Sequence, residues 1–201
     1  MIDKPVWRRL FVGVPLPEHA CAAVADLVDV VRASEPERSH LRWVRMDGLH
    51  LTIRFLGPTQ PDRVPAIGAA LAMLAGTIAP FEVVLAGGGA FPSAARPRAL
   101  WLAVGVGSAG LIALADGVSR ALVPLGWPLE ERPFRPHLTL ARADGVAAGP
   151  ATAARLTSAA ADLEVRFTAA EIVLMESHTG RGPARYESVL TAPLAGEASG
   201  P

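Results

Sequence analysis

The residues HLTIRFLG at 50–57 return in shortened form as HLTLAR at 137–142. In an extended strand, residues i, i+2 and i+4 share a face. The first copy then carries His50, Thr52 and Arg54 on one side and Leu51, Ile53 and Phe55 on the other. The second, entered at Phe134, carries Arg135, His137 and Thr139 together, with Phe134, Leu138 and Leu140 opposite. The fold must therefore supply two strands, each anchored by an apolar face and each presenting an imidazole, a hydroxyl and a guanidinium. One such strand alone is ordinarily half-buried, with a histidine that merely satisfies a hydrogen bond. Two matched copies in a chain with five histidines point instead to one site built from both.

Hydrophobic period and turn residues place the rest of the chain around these strands. Strands are predicted at 8–15, 41–45, 49–56, 81–91, 98–106, 134–142, 163–168, 170–177 and 185–190, and helices at 17–34, 62–76, 108–126 and 151–160. Asp47-Gly48 is the turn before the first motif, Gly57-Pro58 ends its strand, and Ser108 is the expected cap of the third helix. Strands that follow one another directly pair as antiparallel sheets, so the fold class is α+β with helices on the outer faces. Each half of the chain holds one motif, which predicts two similar lobes in approximate two-fold relation with the motif strands facing each other. No Gly/Ser-rich linker parts them, so residues 1–192 form a single bilobal domain, with 193–201 a fraying tail.

Composition narrows the function. A chain of 201 residues, 51% hydrophobic, buries a sizeable core. Its 19 basic and 19 acidic residues balance, so no global field recruits nucleic acid or an anionic membrane, and a polyanion would need a local patch. Cys21 is the only cysteine, and no Cys/His cluster has zinc-ligand spacing, so the expected setting is the reducing cytoplasm. Neither a signal peptide nor a membrane span is read, and a monomer is expected.

Two histidines in one site suit phosphodiester chemistry. With reference pKa values near neutrality, one serves as a general base while the other, protonated, serves as a general acid. The neighbouring hydroxyls donate to nonbridging phosphate oxygens, and an arginine offsets charge that develops in the transition state. Neither a metal nor another cofactor is required, and the chain lacks the acidic cluster of a two-metal phosphodiesterase.

HLTI and HLTL resemble the paired His-x-Thr-x motifs of the 2H phosphoesterase superfamily. More narrowly, RRLFVGVPLP, GLHLTIRFLG, GGGAFPSAARPRALWLAVG and FRPHLTLAR resemble, in order, segments of the RNA 2′,3′-cyclic phosphodiesterases, also called 2′-5′ RNA ligases. The resemblance spans roughly residues 7–190. It implies a bilobal fold with a central groove lined by both motifs, and hydrolysis of an RNA 2′,3′-cyclic phosphate to a 2′-phosphomonoester, in some members with 2′-5′ joining in reverse. Carried over, His50 becomes the proton donor to the departing 3′ oxygen and His137 the base that activates water. Thr52 and Thr139 hold phosphate oxygens. The partners are RNA 3′ ends or oligonucleotides bearing the cyclic phosphate.

Arg135 and Arg54, on the histidine faces, are candidate phosphate contacts, each set against a role as an exposed salt-bridging arginine. Arg142 falls off the alternation at the strand end, where a structural role weighs equally. The segment SHTGRGPARY at 177–186 offers His178, Arg181, Arg185 and Tyr186 at the groove, although such loops are usually just solvated. Trp43 and Phe91 could stack on a base, with burial in the core the expected fate of both. His19 and His40 belong to no motif and receive no role. The competing readings are a noncatalytic RNA-end binding module, a phosphodiesterase for another cyclic or 2′-5′ nucleotide, and a metal-binding protein.

Overall fold

The computed structural model describes residues 7–33, 41–143, 150–180 and 182–197. His40 and Arg181 lie outside them. Nine strands are described: β1 (Arg8–Pro15), β2 (Leu41–Trp43), β3 (His50–Thr59), β4 (Phe81–Phe91), β5 (Ala99–Val104), β6 (His137–Ala143), β7 (Val165–Ala169), β8 (Glu171–His178) and β9 (Arg185–Pro193). Four helices accompany them: α1 (Glu18–Arg32), α2 (Val64–Ala75), α3 (Ser108–Leu122) and α4 (Pro150–Ala159). The strands form two sheets of order β3-β1-β8-β9 and β2-β6-β5-β4-β7, with antiparallel pairing throughout.

The α+β class and the separation of the two motifs onto different sheets agree with the sequence. The lobes, however, are not the two halves of the chain. β1 and β3 share a sheet with the C-terminal β8 and β9, joined through the β1–β8 pairing, while the middle of the chain builds the second sheet and takes β2 as its edge. β3 and β6 pack against each other where the sheets meet.

Both sheets drain into one core. Leu10, Val12, Leu51 and Ile53 from the first join Leu100, Leu102, Leu138 and Leu140 from the second, all buried. α1 buries Ala20, Val24, Leu27, Val28 and Val31, the stripe that a period of 3.6 produces. α3 does the same with Leu111, Leu114, Ala115, Val118 and Leu122. Ser108–Leu125 is apolar and long enough to pass for a membrane span, yet this stripe packs into the core. Each buried leucine or valine contributes about 1.5–3 kcal/mol, so the motif strands rest on a stiff base.

Local corrections have physical causes. Gly107, not Ser108, occupies the N-cap of α3, at φ +85°, where a Cβ would collide with the Glu82 carbonyl oxygen. The Ser108 hydroxyl donates instead to the Val104 carbonyl at 2.6 Å. β3 continues through Gly57-Pro58 to Thr59 because β1 keeps pairing with it. The start of the expected tail is also docked. Leu194 is buried, and the backbone N–H groups of Leu194, Ala195 and Gly196 donate to the carbonyls of Ala170, Ala75 and Ile78.

Candidate active site

β3 and β6 carry their motifs in the same conformation. In both, the histidine and threonine are half-buried and the intervening leucine is buried. Register shifts then break the alternation: against β1, Ile53 is an unpaired extra residue, and against β5, Leu140 is its counterpart. A bulge of this kind puts two successive residues on one side and re-aims those that follow. Arg54 and Ala141 turn inward, while Phe55 and Arg142 emerge on the side of the histidines.

Two abutting cavities result. One, of about 440 Å³, is lined by His50, Phe11, Arg45 and Tyr186, among others. The other, of about 1050 Å³, is lined by His137, Phe91, Phe134 and Arg135, among others. Thr52, Phe55, Thr139 and Arg142 line both. The threonines of the two motifs thus meet at the junction, with one histidine on either side. Among the described residues, neither threonine hydroxyl has a protein hydrogen-bond partner, which leaves both for a ligand.

Each histidine is oriented from two residues upstream. His50 Nδ1 lies 2.8 Å from the Gly48 carbonyl oxygen and His137 Nδ1 lies 2.7 Å from that of Arg135. Nδ1–H therefore donates to the backbone, and Nε2 is left without a protein hydrogen-bond partner among the described residues. The Gly48 carbonyl is set by the 3₁₀ turn Met46–Gly48. The Arg135 carbonyl is set by Pro136, since a residue preceding proline is confined to extended backbone. Aromatic rings hold the imidazoles from the side. Tyr186, the chain's only tyrosine, meets His50 edge-on at 4.7 Å, and Phe91 meets His137 edge-on at 5.2 Å.

Burial lowers the His50 pKa below the usual histidine value. The Gly48 hydrogen bond opposes this effect, and the positive charge of Arg142 adds to it. Burial also raises the Tyr186 hydroxyl above its ordinary value, with Arg142 acting in the opposite sense. Among the described residues, no group of three or more His, Cys, Asp or Glu is placed to share a metal ion.

His50, His137, Thr52, Thr139 and Arg135 all reach the groove. Arg54 is the correction: it is 4% exposed, donates to Ser119 Oγ at 2.5 Å and to the Pro128 carbonyl, and has its Nε 3.8 Å from Glu130. It also lines the larger cavity, with its Nη1 and Nη2 groups committed to the wall. Strict alternation missed Phe55 and Arg142, and the signal that would have found them is the bulge. From 177–186, Tyr186 reaches the smaller cavity, whereas His178 is paired with Glu187 at 3.2 Å and Arg185 lines neither cavity. Phe91 stands in the cavity wall and not in the core, while Trp43 packs partly buried against the core. His19 sits at the Arg166 carbonyl, away from the groove.

A family model described as "2'-5' RNA ligase superfamily" matches residues 16–181. The RNA 2′,3′-cyclic phosphodiesterase of Geobacillus stearothermophilus is 35% identical over 94% of this chain and 58% of its own length, so the chain spans less than two thirds of that longer relative. Proteins of the same name from Aeropyrum pernix and Escherichia coli K12 are 36% identical over 62% of this chain and 69% of theirs, and 30% identical over 89% and 92%. The crystal structure of TT0787 of Thermus thermophilus superposes with TM-score 0.73 at 28% identity, covering 94% of this chain and 100% of that one. E. coli LigT complexed with 3′-AMP does so with TM-score 0.69 at 26% identity, covering 94% and 99%. With matched motifs, relatives and fold in agreement, the chain belongs to the 2′-5′ RNA ligase superfamily.

Proposed function

We propose that this protein hydrolyses the terminal 2′,3′-cyclic phosphate of RNA to a 2′-phosphomonoester, with His137 as general base and His50 as general acid. The observation that carries this reading is the pair of histidines, each tied through Nδ1 to the carbonyl two residues upstream, on opposite sides of Thr52 and Thr139.

His137 Nε2 takes a proton from water, whose oxygen attacks phosphorus in line with the bond to the 3′ oxygen. That bond breaks, the 3′ oxygen receives the proton of His50 Nε2, and the phosphate stays on the 2′ oxygen. The Thr52 and Thr139 hydroxyls donate to the nonbridging oxygens, and Arg142, which lines both cavities, opposes the negative charge that builds on them. His50 must enter protonated although burial and Arg142 disfavour its cation. A bound phosphate anion supplies the compensating charge, so substrate binding itself arms the acid. A 2′-5′ bond forms by the same route when an RNA 5′-hydroxyl takes the place of water.

A noncatalytic end-binding module has no need for two proton-transfer groups oriented alike. The test is turnover, in chelator, of an RNA ending in 2′,3′-cyclic phosphate by wild type, His50→Ala and His137→Ala, with the product phosphate located. A 2′-phosphate made by wild type and lost in both variants supports the reading. Tight binding without turnover by wild type would transfer it to the binding module.

A further inference from the structure

The larger cavity is more than the catalytic step requires. At about 1050 Å³ it exceeds the smaller one more than twofold and reaches the upper limit of ordinary small-ligand pockets, roughly 1,000 Å³. We propose that it is a second nucleotide subsite, which holds the nucleotide 5′ to the one bearing the cyclic phosphate. This rests on the phosphodiesterase reading above and specifies its substrate as a strand of at least two nucleotides.

The larger cavity carries an excess of positive charge. Arg120, Arg132 and Arg135 line this cavity together with the shared Arg142, facing Asp116, Glu130 and Glu131. Glu130 already has the buried Arg54 guanidinium beside it, with Nε at 3.8 Å. The four other arginines make no ion pair with a carboxylate among the described residues. An excess of positive charge therefore lines a cavity in a chain whose net charge is zero. That is the local patch a polyanion requires.

It also exposes apolar side chains. Phe55 is 63% exposed and Leu129 58% exposed, and both line the cavity. Exposed apolar side chains beside arginines fit the face of a splayed base and its phosphate. Phe55, lining both cavities, divides two base sites and does not merely close one.

The wall is also built in advance. The segment after α3 carries Leu129 to Arg135 and is pinned to β3 at two points. Trp127 Nε1 donates to the Leu56 carbonyl at 3.1 Å, and Arg54 donates to the Pro128 carbonyl. Arg63 lies over the Trp127 ring, 4.6 Å from its centroid. With the terminal nucleoside in the smaller aromatic cavity and its phosphate at the threonines, the strand continues only through its 5′ oxygen, toward the larger one.

The test compares a ribonucleoside 2′,3′-cyclic phosphate with a dinucleotide ending in the same group. Wild type should show a kcat/KM about tenfold higher for the dinucleotide, the worth of one or two charge-assisted phosphate contacts. In Arg120→Ala/Arg132→Ala that advantage should fall below about threefold, with the mononucleotide altered less than about twofold and the salt dependence of dinucleotide turnover reduced. Equal wild-type values, or equal losses on both substrates, would overturn the subsite. If neither substrate is turned over, the phosphodiesterase reading fails separately. The subsite is then read by titrating the mono- and dinucleotide 2′-phosphates, where an arginine-dependent preference for the dinucleotide upholds it and equal affinities overturn it.

Discussion

Phe55 and Arg142 are positional equivalents. Each lies five residues beyond its motif histidine, each follows a bulge in its strand, and each lines both cavities. The repeat is thus a repeat of backbone shape as well as of sequence, and the chain uses one shape to deliver two different side chains to the junction. On the His50 side it delivers an aromatic surface, and on the His137 side a fixed positive charge. The approximate symmetry orients the two imidazoles alike, and its breach at these positions gives the groove a direction.

Arg142 should matter more to turnover than to affinity for a neutral nucleoside. In the proposed reaction it faces charge that grows as phosphorus becomes pentacoordinate, so Arg142→Ala should lower kcat about 10²-fold, the scale of losing one preorganised electrostatic contact. Phe55→Ala should mainly raise KM, by about tenfold, the value of one base-stacking surface. Steady-state kinetics on a cyclic-phosphate RNA separates the two, and a purely kcat effect of Phe55→Ala would contradict its role as a stacking surface.

The sequence was most legible where pattern and packing agree. The stripe of α1 and the alternation from His50 to Ile53 and from His137 to Leu140 were readable because core burial enforces those periods. The burial of Arg54 and the outward turn of Phe55 were not legible, and Arg142 was left between two roles, for one shared reason. Alternation assumes an unbroken ladder, and an extra residue in β3 or β6 is visible only against β1 or β5. The division of the chain between sheets was hidden likewise, because local pattern does not say that β1 pairs with β8.

His50 carries a pH signature. Burial and then the Arg142 charge disfavour its cation, so in the free protein it should titrate below the ordinary histidine value of about 6.5. The profile of kcat/KM should be bell-shaped, and imidazole NMR should place His50 below that value. Binding of the 2′-phosphate product should move its titration upward, as should Arg142→Gln, because the anion offsets the repelling charge and the substitution removes it. A His50 resonance that ignores both changes would rule out the arming of the acid by phosphate.

The same shift has a consequence for stability. A histidine whose folded pKa is lowered leaves the unfolded chain holding more protons between the two pKa values. Stability from His50 is therefore fully present above about pH 6.5 and is lost as pH falls toward the folded value. Wild type should lose stability on acidification through this window by more than His50→Asn does, measured by urea unfolding at several pH values. Parallel curves would mean that His50 is not held neutral by the fold.

Thr52 and Thr139 invite a substitution that keeps shape and removes the donor. Threonine to valine preserves the branched side chain at each junction position, so a loss can be assigned to the hydroxyl. Each change alone should reduce kcat about 10²-fold, and the pair should fall short of the product if both hydroxyls serve one developing oxyanion. Unchanged turnover in Thr139→Val would leave phosphate binding to Thr52 and Arg142 and break the symmetry of the proposed site.

Arg54 tests the frame of the groove apart from its chemistry. Its guanidinium is buried on Ser119 and the Pro128 carbonyl, so Arg54→Met removes a cation that holds the wall and leaves both partners without their donor. The expected cost is about 2–3 kcal/mol of unfolding free energy. Ser119→Ala, which removes one hydrogen bond and keeps the contact to Pro128, should cost about 1 kcal/mol. In both variants the kcat for a cyclic mononucleotide should change little, because Arg54 touches neither histidine nor threonine, while KM for a longer strand rises as the wall loosens. A large fall in kcat at unchanged stability would instead place Arg54 among the groups that meet the phosphate, and the bulge at Ile53 would then have to open during the reaction.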